Sequence, residues 1–224
     1  MPRIARLVAP GFPHHVTQRG CRNQRVFFSN RDKENYLEIF REELSKHQME
    51  VWAYCLMDNH VHFIVVPQEE NALSGVFREA HKRYARAVNQ REGWRGHLWQ
   101  ERFHSFIMDE RHVFAAIRYV ENNPVKAKIA KTAESYPWSS ASSHLKDAYD
   151  SLLRPCYLVQ EIKNWATYLR EGHADDTYEN NVAKYLRTGR PYGSEEFIAR
   201  LEKITSRDLR TKSVGRPMLL RINK

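Results

Sequence analysis

The strongest restriction on the fold comes from two β-rich segments, residues 50–57 and 60–67, which are joined by one aspartate and one asparagine. A two-residue connection of this composition predicts a tight turn, so the segments should form an antiparallel hairpin. The second segment is apolar on both faces except for His60 and His62, which is typical of a central strand. Because side chains at i and i+2 of a strand share a face, the two imidazoles should lie side by side.

The elements around this hairpin predict a split βαβ arrangement. Hydrophobic periodicity and turn residues indicate a strand over 14–18, a helix over 30–48 with Asn30 as N-cap, a helix over 71–91, a strand over 102–108 and a helix over 109–122. Pro124 should end the last of these helices. The order β-α-β-β-α-β-α is that of an α+β, ferredoxin-like fold, in which an antiparallel sheet carries helices on one side.

Charge and composition restrict the possible partners. The 224 residues include 36 Lys and Arg against 27 Asp and Glu, a formal charge of +9 that favours a polyanion, either nucleic acid or an anionic membrane surface. No apolar stretch approaches the roughly 18 residues of a spanning helix, and no signal peptide is recognisable. We therefore expect a soluble protein without a membrane partner. Its three distant cysteines suit the reducing cytoplasm rather than a disulfide framework.

The character of the sequence changes near residue 145. Residues 150–204 carry several helical patterns, and the last 20 residues are basic and lack periodicity. We predict a compact α+β domain over residues 1–145 and a helical extension over residues 146–224. The basic tail of this extension is expected to contact DNA.

A second group of polar residues lies on the helix after the last strand. Tyr119 and Asn123 are four residues apart, so they share a helix face. Two imidazoles and an amide carbonyl can hold a divalent cation and leave coordination positions open for phosphate oxygens. A tyrosine beside such a cation is suited to attack on phosphorus, although its phenol, with a pKa of about 10, must lose its proton during attack.

Three segments in order carry a family resemblance: "NHVHFIVV", "GHLWQERFHSFIMD" and "RYVENNPVKAKIAKTAESYPWSS". Together with the opening "ARLVAPGFPHHVTQRG", they resemble the REP-associated tyrosine transposases. These are single-tyrosine HUH nucleases, related to the small insertion-sequence transposases that move single-stranded DNA. The resemblance covers residues 1–145, and "TGRPYGSEEFIARLE" in the extension is also similar to that family.

The resemblance implies an HUH nuclease core over residues 1–145 and assigns a role to each polar residue. His60 and His62 fall on the histidine pair and Tyr119 on the nucleophile. Asn123 falls where related transposases often have a glutamine as third metal ligand. The implied cofactor is Mg²⁺ or Mn²⁺. Asp58, which stands where proline is common, either tunes the metal or caps the turn.

The resemblance also implies an activity and a substrate. The activity is cleavage and rejoining of single-stranded DNA through a 5′-phosphotyrosine link, with a free 3′-hydroxyl as the second product. The substrates are repetitive extragenic palindromes folded as hairpins. A monomer or a homodimer would bind them in the cytoplasm, in association with the nucleoid.

A basic helix and the segment after it are predicted to bind the single strand. The proposed contacts are Arg78, Lys82, Arg83, Arg86 and Arg102. Trp94, Trp99 and Phe103 follow the helix and would offer surfaces on which bases stack.

Simpler interpretations stay open at this point. Strand histidines are more often hydrogen-bonded core residues than ligands, and a lone tyrosine is more often a packed aromatic. Tyr84, on the basic helix, is a rival nucleophile that lacks a neighbouring amide and proline. His14 and His15 are adjacent in a strand, so they point to opposite faces and cannot act as a pair. For the whole chain, the alternative is a non-catalytic module that binds single-stranded nucleic acid, either an RNA binder or a domesticated transposase.

Overall fold

A computed structural model describes residues 6–146, 148–156, 159, 161–170 and 177–210. Four strands form one sheet: β1 (His14–Arg19), β2 (Met49–Met57), β3 (His60–Pro67) and β4 (His104–Ile107). The α-helices discussed below are α1 (Asn30–Leu44), α2 (Ala72–Glu92), α3 (Glu110–Lys126), α4 (Ala141–Lys146), α5 (Trp165–Arg170), α6 (Thr177–Thr188) and α7 (Glu195–Thr205). None of the described helices is both long and apolar enough to cross a bilayer.

The sheet confirms the predicted ferredoxin-like α+β fold. Its order is β2-β3-β1-β4, and each neighbouring pair of strands is antiparallel. The expectation that the helices lie on one side is wrong, because α1 and α2 cover one face and α3 covers the other. The physical reason lies in β3, which directs Phe63 to the first face and Ile64 to the second, so that both faces must be buried.

The first face of the sheet is covered by an aromatic core. Phe40 of α1 stacks on Phe63 of β3, with ring centroids 4.5 Å apart. Tyr84 of α2 is fully buried in the same core, and its hydroxyl donates to the carbonyl of Val26 at 2.7 Å. Tyr84 is therefore a packed aromatic residue on the face opposite to α3.

Two helix ends differ from the predictions. The N-cap of α1 is Ser29 rather than Asn30, because Ser29 and Asp32 form a capping box in which each side chain accepts from the backbone N–H of the other. Pro124 does not end α3, which continues to Lys126. Pro124 lies in the last turn, where its missing N–H removes one backbone hydrogen bond, and the helix ends two residues after it.

The second face of the sheet is covered by α3 together with helices of the extension. Trp165 of α5 and Tyr178 and Val182 of α6 join the apolar cluster that contains Ile64 and Phe106 of the sheet. The predicted boundary near residue 145 falls within α4 and stays a prediction. The basic tail for which DNA contact was predicted lies mainly in residues 211–224, outside the described residues.

Candidate active site

His60 and His62 lie at the start of β3, on the face that α3 covers. Their ring centroids are 4.9 Å apart, as expected for side chains two residues apart on a strand. Both imidazoles use Nδ1 in a hydrogen bond: His60 with Oδ1 of Asn59 at 2.6 Å, and His62 with Nε2 of His15 at 2.8 Å. Nε2 is therefore the nitrogen that each ring can offer to another partner.

Burial keeps both imidazoles neutral. The pKa of His60 is lowered to about 4, chiefly by loss of hydration and also by the nearby charge of Arg19, while the side chain of Asn123 opposes the shift. His62 is only 3 % exposed. Burial is the main reason that its pKa lies well below the ordinary value, and the neighbouring His60 and His15 lower the pKa further. The neutral imidazole is the form that ligates a metal ion.

Helix α3 brings the two remaining predicted residues to the same place. The ring of Tyr119 is perpendicular to that of His62, with centroids 5.6 Å apart. Asn123, one turn later, donates from Nδ2 to the backbone carbonyl of Tyr119 at 2.7 Å. Its side chain also affects both neighbouring groups, since it raises the pKa of His60 and lowers that of Tyr119. The structure thus brings together all four residues predicted for the centre.

The Tyr119 phenol lies between charges of both signs. Desolvation raises its pKa, and the carboxylate of Glu179 on α6 raises it further, whereas the charge of Arg19 and the hydrogen bond with Asn123 lower it. Lys126 lies 5.4 Å from the ring centroid and forms an ion pair with Glu179. The hydroxyl is therefore protonated at neutral pH, and ionisation during attack requires additional positive charge.

The chemistry of His60, His62 and Asn123 fits a divalent cation. The two imidazoles are neutral, and a hydrogen bond at Nδ1 orients each ring, as is usual for histidines that bind metals. Among the described residues, no group of three or more His, Cys, Asp or Glu side chains is arranged to hold a metal. Asn123, as the third ligand beside the two histidines, stays a prediction.

Asp58 does not point toward the two histidines. Its carboxylate accepts from Nζ of Lys33 at 2.8 Å and from the guanidinium of Arg25 at 3.0 Å. Lys33 is buried and also donates to the hydroxyl of Tyr136 at 3.0 Å. Of the two roles considered for Asp58, these contacts support stabilisation of the turn.

Three residues at the centre, His15, Arg19 and Tyr178, were not predicted as site residues. His15 lies between His62 and Tyr178: its Nε2 is 2.8 Å from Nδ1 of His62, and its Nδ1 is 2.7 Å from the hydroxyl of Tyr178. Arg19 is paired with His60 in the register of β1 and β3. His15 and Arg19 could have been found from the alternation of side chains along β1. Both lie on the same face of the sheet as Thr17, which pairs with His62.

A cavity of about 580 Å³ opens beside the nucleophile candidate and is lined in part by Tyr119 and Tyr178. Its wall also contains several charged side chains: Arg118, Lys126, Lys131, Arg170, Glu134 and Glu179. Cations outnumber carboxylates in this set, so the cavity suits a phosphate-bearing ligand.

A second cavity, of about 900 Å³, lies between α2 and the segment that follows it. Four of the five residues predicted to bind DNA line it: Arg78, Lys82, Arg86 and Arg102. The fifth, Arg83, points to α1 instead, where its guanidinium contacts Glu42 and Glu43, each at 2.6 Å.

The predicted stacking residues divide into one exposed and two buried side chains. Trp94 is 46 % exposed and lines the second cavity. Trp99 and Phe103 are buried, and the indole N–H of Trp99 donates to the carbonyl of His81 at 3.1 Å. Both rings complete the core and also line the second cavity, so base stacking on Trp99 and Phe103 stays a prediction.

Comparison with known proteins places these residues in a family context. Residues 13–123, a span that contains all four residues of the centre, match the family model described as "Transposase IS200 like". A solved structure of a REP-associated tyrosine transposase bound to a REP hairpin superposes with a TM-score of 0.56 at 19 % identity, covering 70 % of this chain and 93 % of the other. A candidate transposase from Deinococcus radiodurans has a TM-score of 0.38 at 20 % identity, over 55 % of this chain and 97 % of the other. Among curated proteins, no sequence matches.

Proposed function

The chain belongs, through residues 13–123, to the IS200-like transposase family, and on this basis we propose that it cleaves and rejoins single-stranded DNA at hairpins of REP elements. One observation carries the proposal. Tyr119 and Asn123 of α3 meet His60 and His62 of β3 on one face of the sheet, with the Tyr119 and His62 rings 5.6 Å apart. A nucleophile and a set of cation ligands are thus within reach of the same phosphate.

In the proposed reaction, Oη of Tyr119 attacks the phosphorus of the scissile phosphodiester. The bond between Oη and phosphorus forms, the bond between phosphorus and the 3′-oxygen breaks, and the 3′-oxygen takes up a proton. The phenol proton passes to water in the cavity that Tyr119 lines. The 5′-phosphotyrosine link retains the energy of the broken ester, so attack by a 3′-hydroxyl rejoins the strand without a nucleotide cofactor.

His60, His62 and Asn123 would hold the divalent cation that this chemistry requires. When bound, Mg²⁺ or Mn²⁺ would supply Lewis-acid polarisation of the phosphodiester and stabilise its developing charge. The positive charge of Arg19 would assist the cation, because it favours the Tyr119 phenolate and attracts the phosphate. All these residues come from one chain, so a monomer carries a complete centre and a homodimer would carry two.

Two observations support a DNA hairpin as the substrate. The chain has a formal charge of +9, and four of its predicted DNA-binding cations line one cavity beside the exposed Trp94. The solved structure with which it shares its fold is of a transposase bound to a REP hairpin. In the proposal, the stem or its flanking single strand lies along α2, and the scissile phosphate reaches Tyr119. A cytoplasmic, nucleoid-associated location follows from this substrate.

A cleavage assay on hairpin-bearing single strands tests the proposal. With Mg²⁺ or Mn²⁺, a 5′-labelled strand should yield a shorter fragment with a free 3′-hydroxyl. A 3′-labelled strand should yield a protein–DNA adduct that survives denaturant. A chelator, or a fully paired duplex of the same sequence, should abolish both products. Hairpin binding without either product would instead favour the non-catalytic binding module.

A further inference from the structure

We propose that His15 of β1 and Tyr178 of α6 are positioning residues that set the tautomer and the ring orientation of His62. This inference rests on the proposed function, because it takes His62 as a ligand of the divalent cation. Helix α6 belongs to the predicted C-terminal extension, and this inference gives it a role in positioning a residue of the centre.

The three side chains form one continuous chain of hydrogen bonds. His62 Nδ1 is 2.8 Å from His15 Nε2, and His15 Nδ1 is 2.7 Å from the Tyr178 hydroxyl. The exposed fractions are 3 % for His62, 0 % for His15 and 2 % for Tyr178. Bulk water therefore does not compete for these bonds, and each ring depends on the next one for its partner.

The direction of the hydrogen bonds decides whether His62 can bind a cation. In a neutral imidazole one nitrogen donates and the other accepts. If His62 Nδ1–H donates to His15 Nε2, then His15 Nδ1–H donates to the Tyr178 oxygen, and Nε2 of His62 keeps its lone pair. If Tyr178 instead donates to His15, both imidazoles reverse and Nε2 of His62 carries a proton. Only the first direction leaves Nε2 free to ligate.

Tyr178 also contacts the nucleophile. Its ring centroid is 5.9 Å from that of Tyr119, and His15 lies at the same distance from Tyr119 on another side. The next residue of α6, Glu179, forms an ion pair with Lys126 of α3, one turn beyond Asn123. Helix α6 thus contacts both α3 and the hydrogen-bonded histidines, and through Tyr178 and His15 it orients His62.

The substitution Tyr178→Phe tests this role, because it removes one hydroxyl and keeps the ring. In full-length, metal-free protein, ¹⁵N NMR of the histidine side chains should show the Nδ1-protonated tautomer of His62 in wild type. Both tautomers should be populated in Tyr178→Phe. Mn²⁺ affinity, measured by calorimetry without DNA, should fall about tenfold, the lower end of what the loss of a partner behind a metal ligand costs.

A matched control lies two turns further along the same helix. Tyr185 packs against Phe106 and Tyr192 rather than against a histidine. Tyr185→Phe should change neither the His62 tautomer nor Mn²⁺ affinity. His15→Gln, which keeps a carbonyl acceptor for His62 Nδ1–H, should retain more Mn²⁺ affinity than His15→Leu does.

The results separate this inference from the proposed function. Wild-type protein that binds no Mn²⁺ would overturn the metal centre of the proposed function. Normal Mn²⁺ binding with an unchanged His62 tautomer in Tyr178→Phe would overturn only the role of His15 and Tyr178. An Nε2-protonated His62 in metal-free wild type would also overturn that role.

Discussion

The ring of Tyr119 stands perpendicular to that of His62, with the two centroids 5.6 Å apart, although one residue belongs to α3 and the other to β3. Packing of α3 on the sheet holds them together, since Ile117 and Val120 are buried in the cluster that contains Ile64. The rings belong to a nucleophile candidate and a ligand candidate, so substitutions that keep the packing can test each function separately.

Tyr119→Phe should abolish cleavage and the denaturant-resistant adduct while hairpin binding stays near that of wild type. The substitution removes the attacking oxygen but keeps the ring that packs on His62. Gel electrophoresis of labelled strands under denaturing conditions measures the adduct. Tyr84→Phe is the control: it loses a buried hydrogen bond to Val26, worth about 1 kcal/mol, but should still form the adduct. An adduct that persists in Tyr119→Phe and disappears in Tyr84→Phe would show that Tyr84 is the nucleophile.

His60→Ala and His62→Ala should each abolish Mn²⁺-dependent cleavage, because each removes one of the three proposed ligands. Cleavage rates with Mn²⁺, before and after chelation, measure this effect, and far-UV circular dichroism checks the fold. His104→Ala is the control, since the His104 side chain is exposed on β4 and its Nδ1 is hydrogen-bonded with the carbonyl of Leu186. Full activity in either of the first two variants would contradict the assignment.

Replacing basic side chains of the second cavity should weaken DNA binding and make the affinity less sensitive to salt. Arg86→Ala and Arg102→Ala should each lower the slope of log affinity against log salt by about 1, if each side chain neutralises one phosphate. Arg83→Ala should leave the slope near that of wild type, because its guanidinium already contacts Glu42 and Glu43. Fluorescence anisotropy with a labelled hairpin at several salt concentrations gives the three slopes. Equal losses in all three variants would rule out a specific role for the cavity.

Glu121→Ala should lower the free energy of unfolding by about 3 kcal/mol. Glu121 is fully buried on α3. Its carboxylate accepts hydrogen bonds from Ser140 Oγ at 2.6 Å and from Trp165 Nε1 at 2.9 Å, and it contacts His144 Nδ1 at 2.5 Å. Truncation leaves these buried groups without their partner. Urea unfolding followed by circular dichroism measures the loss. The exposed Glu38→Ala on α1 should change the value by less than about 0.5 kcal/mol.

His81 should make the protein less stable as the pH falls from 7 to 5. Burial lowers the pKa of folded His81 to about 3 from its ordinary value of 6.5, so the unfolded chain binds the proton first. The stabilisation is present above pH 6.5 and is lost as the pH falls, by roughly 2 kcal/mol between pH 7 and pH 5. His81→Gln removes this titration, so its unfolding free energy should fall less steeply over the same range in urea titrations. An equally steep fall in the variant would show that His81 is not the group responsible.

Local periodicity was sufficient to predict part of the centre. The period of two along a strand places His60 and His62 side by side, and the period of the α-helix places Asn123 one turn after Tyr119. The observed rings and hydrogen bonds agree with both placements. The hairpin was equally local, because a two-residue connection allows few alternatives.

The face of the sheet against which α3 packs depends on tertiary contacts. Because β3 is apolar on both faces, its pattern could not show which helix covers the histidines, and the prediction of one-sided helices failed for this reason. The hydrogen bonds that connect His62 through His15 to Tyr178 could not be predicted from the sequence either. These residues belong to β3, β1 and α6, and a hydrogen bond between distant elements leaves no periodic signal. Such contacts arise only when burial of the whole sheet brings the elements together, so they depend on the packing of the complete chain rather than on any one segment.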